Sequence, residues 1–138
     1  MIRSINGFWA TQKNLILSSR DEKSEAYHAA NLMVIPSRHE AMSIVVLEAG
    51  ICGAPVLITD QCGFDDVALQ EGGVVVAATV EGLQKGLLAM TSNPERLRTM
   101  GKNLKKYTQD SFLWAHIVKR HLDLFAKKGG TAPGLFVP

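Results

Sequence analysis

Two acidic residues carry the clearest promise of chemistry. Glu40 lies in the polar stretch Pro36-Ser37-Arg38-His39-Glu40-Ala41-Met42-Ser43. Glu48, eight positions on, is the single charge in the apolar run Ile44-Val45-Val46-Leu47-Glu48-Ala49-Gly50-Ile51-Cys52. A carboxylate buried alone is costly unless hydrogen bonds or a counter-charge compensate it, so a helix used only for packing would place Leu or Ala there. The functional reading is that Glu48 accepts hydrogen bonds from ligand hydroxyls, as a carboxylate does bidentately for a ribose or sugar diol. The structural reading is a buried ion pair, with Arg38 the candidate partner.

Those residues need elements to hold them. Leu32-Met33-Val34-Ile35 is an apolar run stopped by Pro36-Ser37 and suits a strand buried on both faces. Ile44 to Cys52 reads as a buried helix, with Ser43 placed to cap it and Gly53 to end it. Pro55 to Thr59 reads as a second buried strand, closed by the turn-rich Asp60-Gln61-Cys62-Gly63. Helical side chains lean toward the N-terminus, so the Glu48 carboxylate is expected to point back toward the loop that holds Glu40. The helix start at Met42 to Ile44 presents free N–H groups and the positive end of the macrodipole, which suits a phosphate.

Around this centre, Leu15 to Leu17 reads as a short strand and Arg20 to Asn31 as a helix with an apolar face of Ala26, Tyr27, Ala29 and Ala30. Val74 to Val76 follows the Gly72-Gly73 turn as a strand, and Thr79 to Thr91 reads as a helix. Asn93-Pro94 opens a basic amphipathic helix to about Thr108, and a second spans about Phe112 to Lys127. Alternating buried strands and helices predict an α/β fold, a Rossmann-like doubly wound parallel sheet with right-handed crossovers. Ligands in such sheets sit beyond the carboxyl ends of the strands, which directs attention to the loops after Ile35 and Thr59. Residues 1–128 read as one domain and residues 129–138, rich in Gly and Pro, as an irregular tail.

Composition narrows the function classes. The 138 residues carry a net charge of +2, are 46% hydrophobic, and hold two cysteines. That is one globular domain's worth of chain, neither disordered nor a disulfide framework. The charge is uneven: residues 1–94 carry six basic and ten acidic side chains, residues 95–138 nine and three. A solvated helix face is the plain reading of that basic third, and a phosphate-bearing or membrane-surface contact the alternative. No apolar run reaches membrane-span length and no signal-peptide layout opens the chain, so it reads as cytoplasmic. His28, His39, His116 and His121 with the cysteines show no metal-ligand spacing, and no dinucleotide or P-loop motif occurs. His39 beside Glu40 reads as a solvent-facing loop residue, with polarisation of a leaving group the alternative. Phe112 and Trp114 read as core rather than as a stacking platform for bases.

The segment Pro36 to Ala49, followed by Gly53-Ala54-Pro55-Val56-Leu57-Ile58-Thr59-Asp60, resembles the E-x7-E signature of retaining GT-B glycosyltransferases of family 4. Asn93-Pro94-Glu95-Arg96, Met100-Gly101 and Ser111-Phe112-Leu113-Trp114 are similar to later motifs of that family, in the same order. The resemblance implies an incomplete half of a GT-B fold, the C-terminal half that binds a nucleotide diphosphate sugar. It implies that Glu40 faces the transferred sugar as the catalytic residue and that Glu48 binds the ribose hydroxyls. It further implies that the backbone from Ala41 through Met42 and Ser43 to Ile44 meets the diphosphate, with Ser37, Arg38 and His39 completing the donor site. No metal and no prosthetic group are implied. The implied partners are a nucleotide sugar and a glycan or lipid-linked acceptor brought by a missing N-terminal domain, with a peripheral contact at the inner membrane face and no nucleic acid.

The chain departs from the family in places. Ala41-Met42 stands where the family often has Gly-Phe, Cys62 replaces a usual glycine, and Asp66 takes a place usually held by glutamate. The Arg and Lys pair that grips the diphosphate has no counterpart in Met1 to Arg20. The chain alone is therefore expected to transfer little or no sugar. A non-catalytic module that docks a partner or an anionic membrane through residues 94–127 is the competing reading.

Overall fold

A computed structural model describes residues 19–127. The expected strand at Leu15 to Leu17, the tail at 129–138 and all but the last two residues of Met1 to Arg20, searched for a basic pair, lie outside the described residues. Within them the chain runs α1 (Arg20–Ala29), β1 (Met33–Ile35), α2 (Ile44–Cys52), β2 (Val56–Thr59), α3 (Asp66–Leu69), β3 (Gly73–Val76), α4 (Val80–Thr91), α5 (Pro94–Phe112) and α6 (Trp114–Lys127).

The three strands form a parallel sheet in the order β1-β2-β3, with Val34 opposite Leu57 and Leu57 opposite Val74. β2 is central and wholly buried, as an unbroken Val-Leu-Ile run with a neighbour on each side requires. Its alternating side chains feed two cores. Val56 and Ile58 pack with Val46 and Ala49 of α2 and Leu104 of α5, while Leu57 packs on the other side with Met90 of α4 and Met100 of α5. Helices therefore cover both faces, and the fold is the α/β architecture expected from the alternation of elements.

Local chemistry sets the ends of the elements. Ser19 and Glu22 form a reciprocal capping box at α1. Thr79 caps α4 by accepting from the Gly82 amide, and Asn93 caps α5 by accepting from the Arg96 amide, with Pro94 at the first helical position. Gly53 closes α2 in the left-handed conformation at φ 84°, where a side chain would be strained.

Three expectations are corrected and one element is added. Ser43 occupies the N-cap position of α2, yet its hydroxyl caps nothing, because it is fully buried and without a hydrogen-bond partner. Helix α3 was not foreseen, since Asp65-Asp66 extends a turn-like composition. α5 continues past Thr108 to Phe112, whose ring packs edge-on against Tyr107 at 5.4 Å and in a tilted arrangement against Phe64 at 5.7 Å. α6 then starts at Trp114, which is 78% exposed rather than in the core. No residue of α6 is buried. Among the described residues no helix is long and apolar enough to cross a membrane.

Candidate functional site

The loop from Pro36 to Ser43 leaves the carboxyl end of β1, and the turn from Asp60 to Asp65 leaves that of β2. The two are joined. The Glu40 amide donates to the Gln61 carbonyl at 2.9 Å and the Ser43 amide to the Cys62 carbonyl at 3.1 Å, while the Thr59 hydroxyl donates to the Ser37 carbonyl. Gly63, at φ 62°, lies so close to the first loop that a Cβ there would run into the Ala41 carbonyl. The two loops behind which a doubly wound sheet holds its ligands are thus one unit.

On that unit Glu40 is half-buried, and its Oε2 is shielded from solvent with no partner in the protein. Ser43 Oγ shares this condition. Buried polar atoms are nearly always satisfied, so two orphans three residues apart mark a place suited to an external hydrogen-bonding group. Among the described residues no acceptor takes the amides of Ala41, Met42, Ile44 or Val45. The start of α2 therefore offers donors, as the sequence anticipated, although the amides of Glu40 and Ser43 are committed to fixing the loop. Arg38, His39, Ala41, Met42 and Ile44 are exposed and Ser37 is half-buried.

Glu48 sits in the middle of α2 and faces α1. Its Oε1 accepts from Lys23 Nζ at 2.7 Å and its Oε2 from the Tyr27 hydroxyl at 2.8 Å. The alternation i, i+4 places Lys23 and Tyr27 on one face of α1, so a single helix supplies both donors. The ion-pair partner anticipated from sequence was Arg38; the structure gives Lys23 instead. Nor is the carboxylate sealed away: the Glu48 side chain is 34% exposed. A carboxylate offers about four lone-pair positions and two are used, so two acceptor positions are left for ligand hydroxyls.

A hollow of about 380 Å³ opens beside this carboxylate, lined by Lys23, Ser24, Tyr27, Glu48, Ile51 and Cys52. A larger hollow, about 550 Å³, lies between α3 and α5, and neither Glu40 nor Glu48 lines it. Its walls are flexible surface side chains such as Gln70, Lys106 and Asp110, and size alone gives it no claim over a site with orphaned polar groups. Lys23 and Tyr27 are the residues that sequence reasoning missed. The signal was present in their four-residue spacing, but the pairing spans 25 and 21 positions of chain.

Partial burial works against ionisation of Glu48, but the Lys23 and Tyr27 hydrogen bonds and the Lys23 charge outweigh it and hold the carboxyl below its usual range. Burial and the same carboxylate push the Tyr27 hydroxyl far up. The contact between α1 and α2 is accordingly strongest above the unfolded value of about 4.5 and is lost as pH falls through the lower folded value. Amide exchange in α1, corrected for intrinsic pH dependence, is expected to quicken below about pH 4.5 in the native chain. Glu48→Gln should flatten that response; an unchanged acid response in Glu48→Gln would show that another group controls α1.

Residues 10–107 match the family model described as glycosyl transferases group 1. The chain belongs to the group 1 glycosyltransferase family. Over 111 residues it is 34% identical to D-inositol 3-phosphate glycosyltransferase of Gordonia bronchialis, covering 75% of this chain and 23% of that one. It is 27% identical over 119 residues to alpha-galactosylglucosyldiacylglycerol synthase of Streptococcus pneumoniae, covering 84% and 31%. In structure it superposes on sucrose-phosphate synthase of Thermosynechococcus elongatus with a TM-score of 0.66 at 30% identity, covering 75% of this chain and 26% of the other. It superposes on WaaG, a glycosyltransferase involved in lipopolysaccharide biosynthesis, with a TM-score of 0.64 at 30% identity, covering 74% and 28%. This group 1 chain thus spans between about a quarter and a third of the length of these relatives, and its Rossmann-like sheet is the part it shares with GT-B glycosyltransferases.

Proposed function

We propose that this domain binds the nucleotide-sugar donor of a retaining glycosyltransferase at the joined loops after β1 and β2. The observation that carries the reading is the pair of orphaned polar atoms, Glu40 Oε2 and Ser43 Oγ, beside the uncommitted amides at the start of α2. In this arrangement the amides of Ala41, Met42 and Ile44 receive the diphosphate, and the helix dipole takes part of its charge. Glu48 accepts from the ribose hydroxyls through its remaining lone pairs. Glu40 faces the sugar, with Ser37, Arg38 and His39 at the rim.

In the transfer, the bond between the anomeric carbon and the diphosphate oxygen breaks as a bond to the acceptor oxygen forms, and the proton of the acceptor hydroxyl passes to the departing diphosphate. Donors aimed at the departing diphosphate stabilise the charge that develops there. Glu40, on the sugar side, stabilises positive charge at the anomeric centre. The acceptor, a glycan or a lipid-linked sugar, is held by a second domain. Orienting two substrates supplies about 7 to 11 kcal/mol of a barrier, so a polypeptide of these 138 residues alone binds donor without transferring it.

Calorimetric titration tests both halves. The chain should bind UDP, GDP or ADP, or the corresponding nucleotide sugar, and release no more free sugar or product than buffer does. Absence of binding to all three diphosphates would reject the site, and robust transfer by the isolated chain would reject the need for a second domain. The exposed face of α6 supports a further contact. Trp114, Val118, Leu122 and Phe125 form an apolar stripe with Lys119 and Arg120 beside it, a pattern that fits an anionic membrane surface.

A further inference from the structure

We propose that Thr59 is a positioning residue for the donor site: its buried hydroxyl fixes the front of the loop that carries Glu40 and leads into α2. The inference rests on the donor-site reading above for its ligand, but not for its geometry. Thr59 is the last residue of β2 and is 1% exposed. Every other position of that strand is aliphatic, and valine would fill the same space without a polar group to satisfy. The hydroxyl has a specific use, since it donates to the Ser37 carbonyl three residues ahead of Glu40.

A second side chain completes the fastening. Cys62 Sγ lies 3.5 Å from the Ile35 carbonyl and 3.4 Å from Thr59 Oγ1. The Thr59 proton is engaged with Ser37, so the thiol proton is free for the Ile35 carbonyl and the sulfur lies beside the hydroxyl. With the Glu40 and Ser43 amides held by Gln61 and Cys62, the segment from Ile35 to Ser43 is tied at four points to residues 59–62, beyond the pairing of Ile35 with Ile58 in the sheet. Among the described residues, positions 36–43 make no hydrogen bond to any other element except the one that starts α2. Among the described residues, the Thr59 hydroxyl is the only hydrogen-bond partner of positions 36–39. Without it, the stretch that aims Glu40 loses its front anchor, the Glu40 and Ser43 hydrogen bonds behind it open more often, and the amides offered to the diphosphate lose their fixed placement.

The experiment compares Thr59→Val, which keeps the shape and removes the hydroxyl, with Thr59→Ser, which restores it. Amide exchange at Glu40 and Ser43 should accelerate about tenfold in Thr59→Val and stay native in Thr59→Ser, while the amides pairing β2 with β3 are unchanged in both. Affinity for UDP, or whichever diphosphate the native chain binds, should fall about tenfold in Thr59→Val and recover in Thr59→Ser. Native exchange at Glu40 and Ser43 in Thr59→Val overturns the proposal, as does a Thr59→Ser chain as loosened as Thr59→Val. If Thr59→Val does not fold, the same exchange is read in Thr59→Ala. Faster exchange without any nucleotide binding supports the fastening and rejects the donor-site reading, so the two can fail separately.

Discussion

Glu48→Ala weakens nucleoside diphosphate binding by about a hundredfold, or about 2.8 kcal/mol. Hydrogen bonds to a charged acceptor contribute about 1.5 to 3 kcal/mol each, and a ribose diol makes two to one carboxylate. Even with the partial exposure of this side chain the loss should remain large, because a ribose seated on the carboxylate would shield it from water. The competing account is that Glu48 only bolts α1 to α2 through Lys23 and Tyr27. Lys23→Met separates the two, since it removes the ion pair and leaves the carboxylate. Binding within about threefold of native in Lys23→Met, beside the hundredfold loss in Glu48→Ala, assigns the carboxylate to the ligand. Equal losses in the two variants would assign it to the α1 contact, and a pure stability role would lower the melting temperature of Glu48→Ala while sparing affinity.

Leu104→Ala is the most damaging single truncation, at about 3 to 5 kcal/mol. Leu104 is fully buried on α5 and fills a space that two glycines create. A Cβ on Gly50 would meet its Cγ at 3.0 Å, and one on Gly72 would meet its Cβ at 2.9 Å. Neither glycine has a side chain that could relax into the hole, so the cavity stays open, and the cost of a cavity scales with the volume left behind. Domains of this size are stable by roughly 5 to 15 kcal/mol, so the variant should lose about a fifth or more of its folding free energy. Urea unfolding followed by circular dichroism measures it through the midpoint at constant slope. A loss under about 1 kcal/mol would mean that α5 does not seat on α2 and the β3 turn as described.

Much of this molecule was readable before any coordinates, for reasons that particular residues show. β1, α2 and β2 were legible because their apolar runs are bounded by Pro36, Gly53 and the Asp60 turn, and a buried parallel strand needs no partner information to be recognised. α4 and α5 announce themselves through Thr79 and Asn93-Pro94, whose caps form as the sequence suggests. The failures share a different cause. Ser43 has the type of a capping residue, but the Cys62 turn packs over it and takes its amide instead. Trp114 is apolar enough for a core, yet its burial depends on what lies opposite, and none of the described residues covers it. Glu48 was singled out by its isolation, but its partners come from α1, and long-range pairing is a property of the packed chain rather than of local spacing.

The candidate site was half legible. Spacing and residue type brought out Glu40, Glu48 and the start of α2, and the family motif named the chemistry those groups could share. What fixes Glu40 in place was hidden, because Thr59, Gln61 and Cys62 act through backbone carbonyls and amides that any sequence possesses.

The most direct test is an amide-resolved NMR titration of the chain with the nucleoside diphosphate it binds best. The largest shifts should fall on Ala41, Met42, Ile44 and Val45, with a second group at Glu48 and along the facing side of α1. Shifts confined to the hollow between α3 and α5 or to α6, with residues 40–48 silent at saturation, would contradict a donor site at the joined loops.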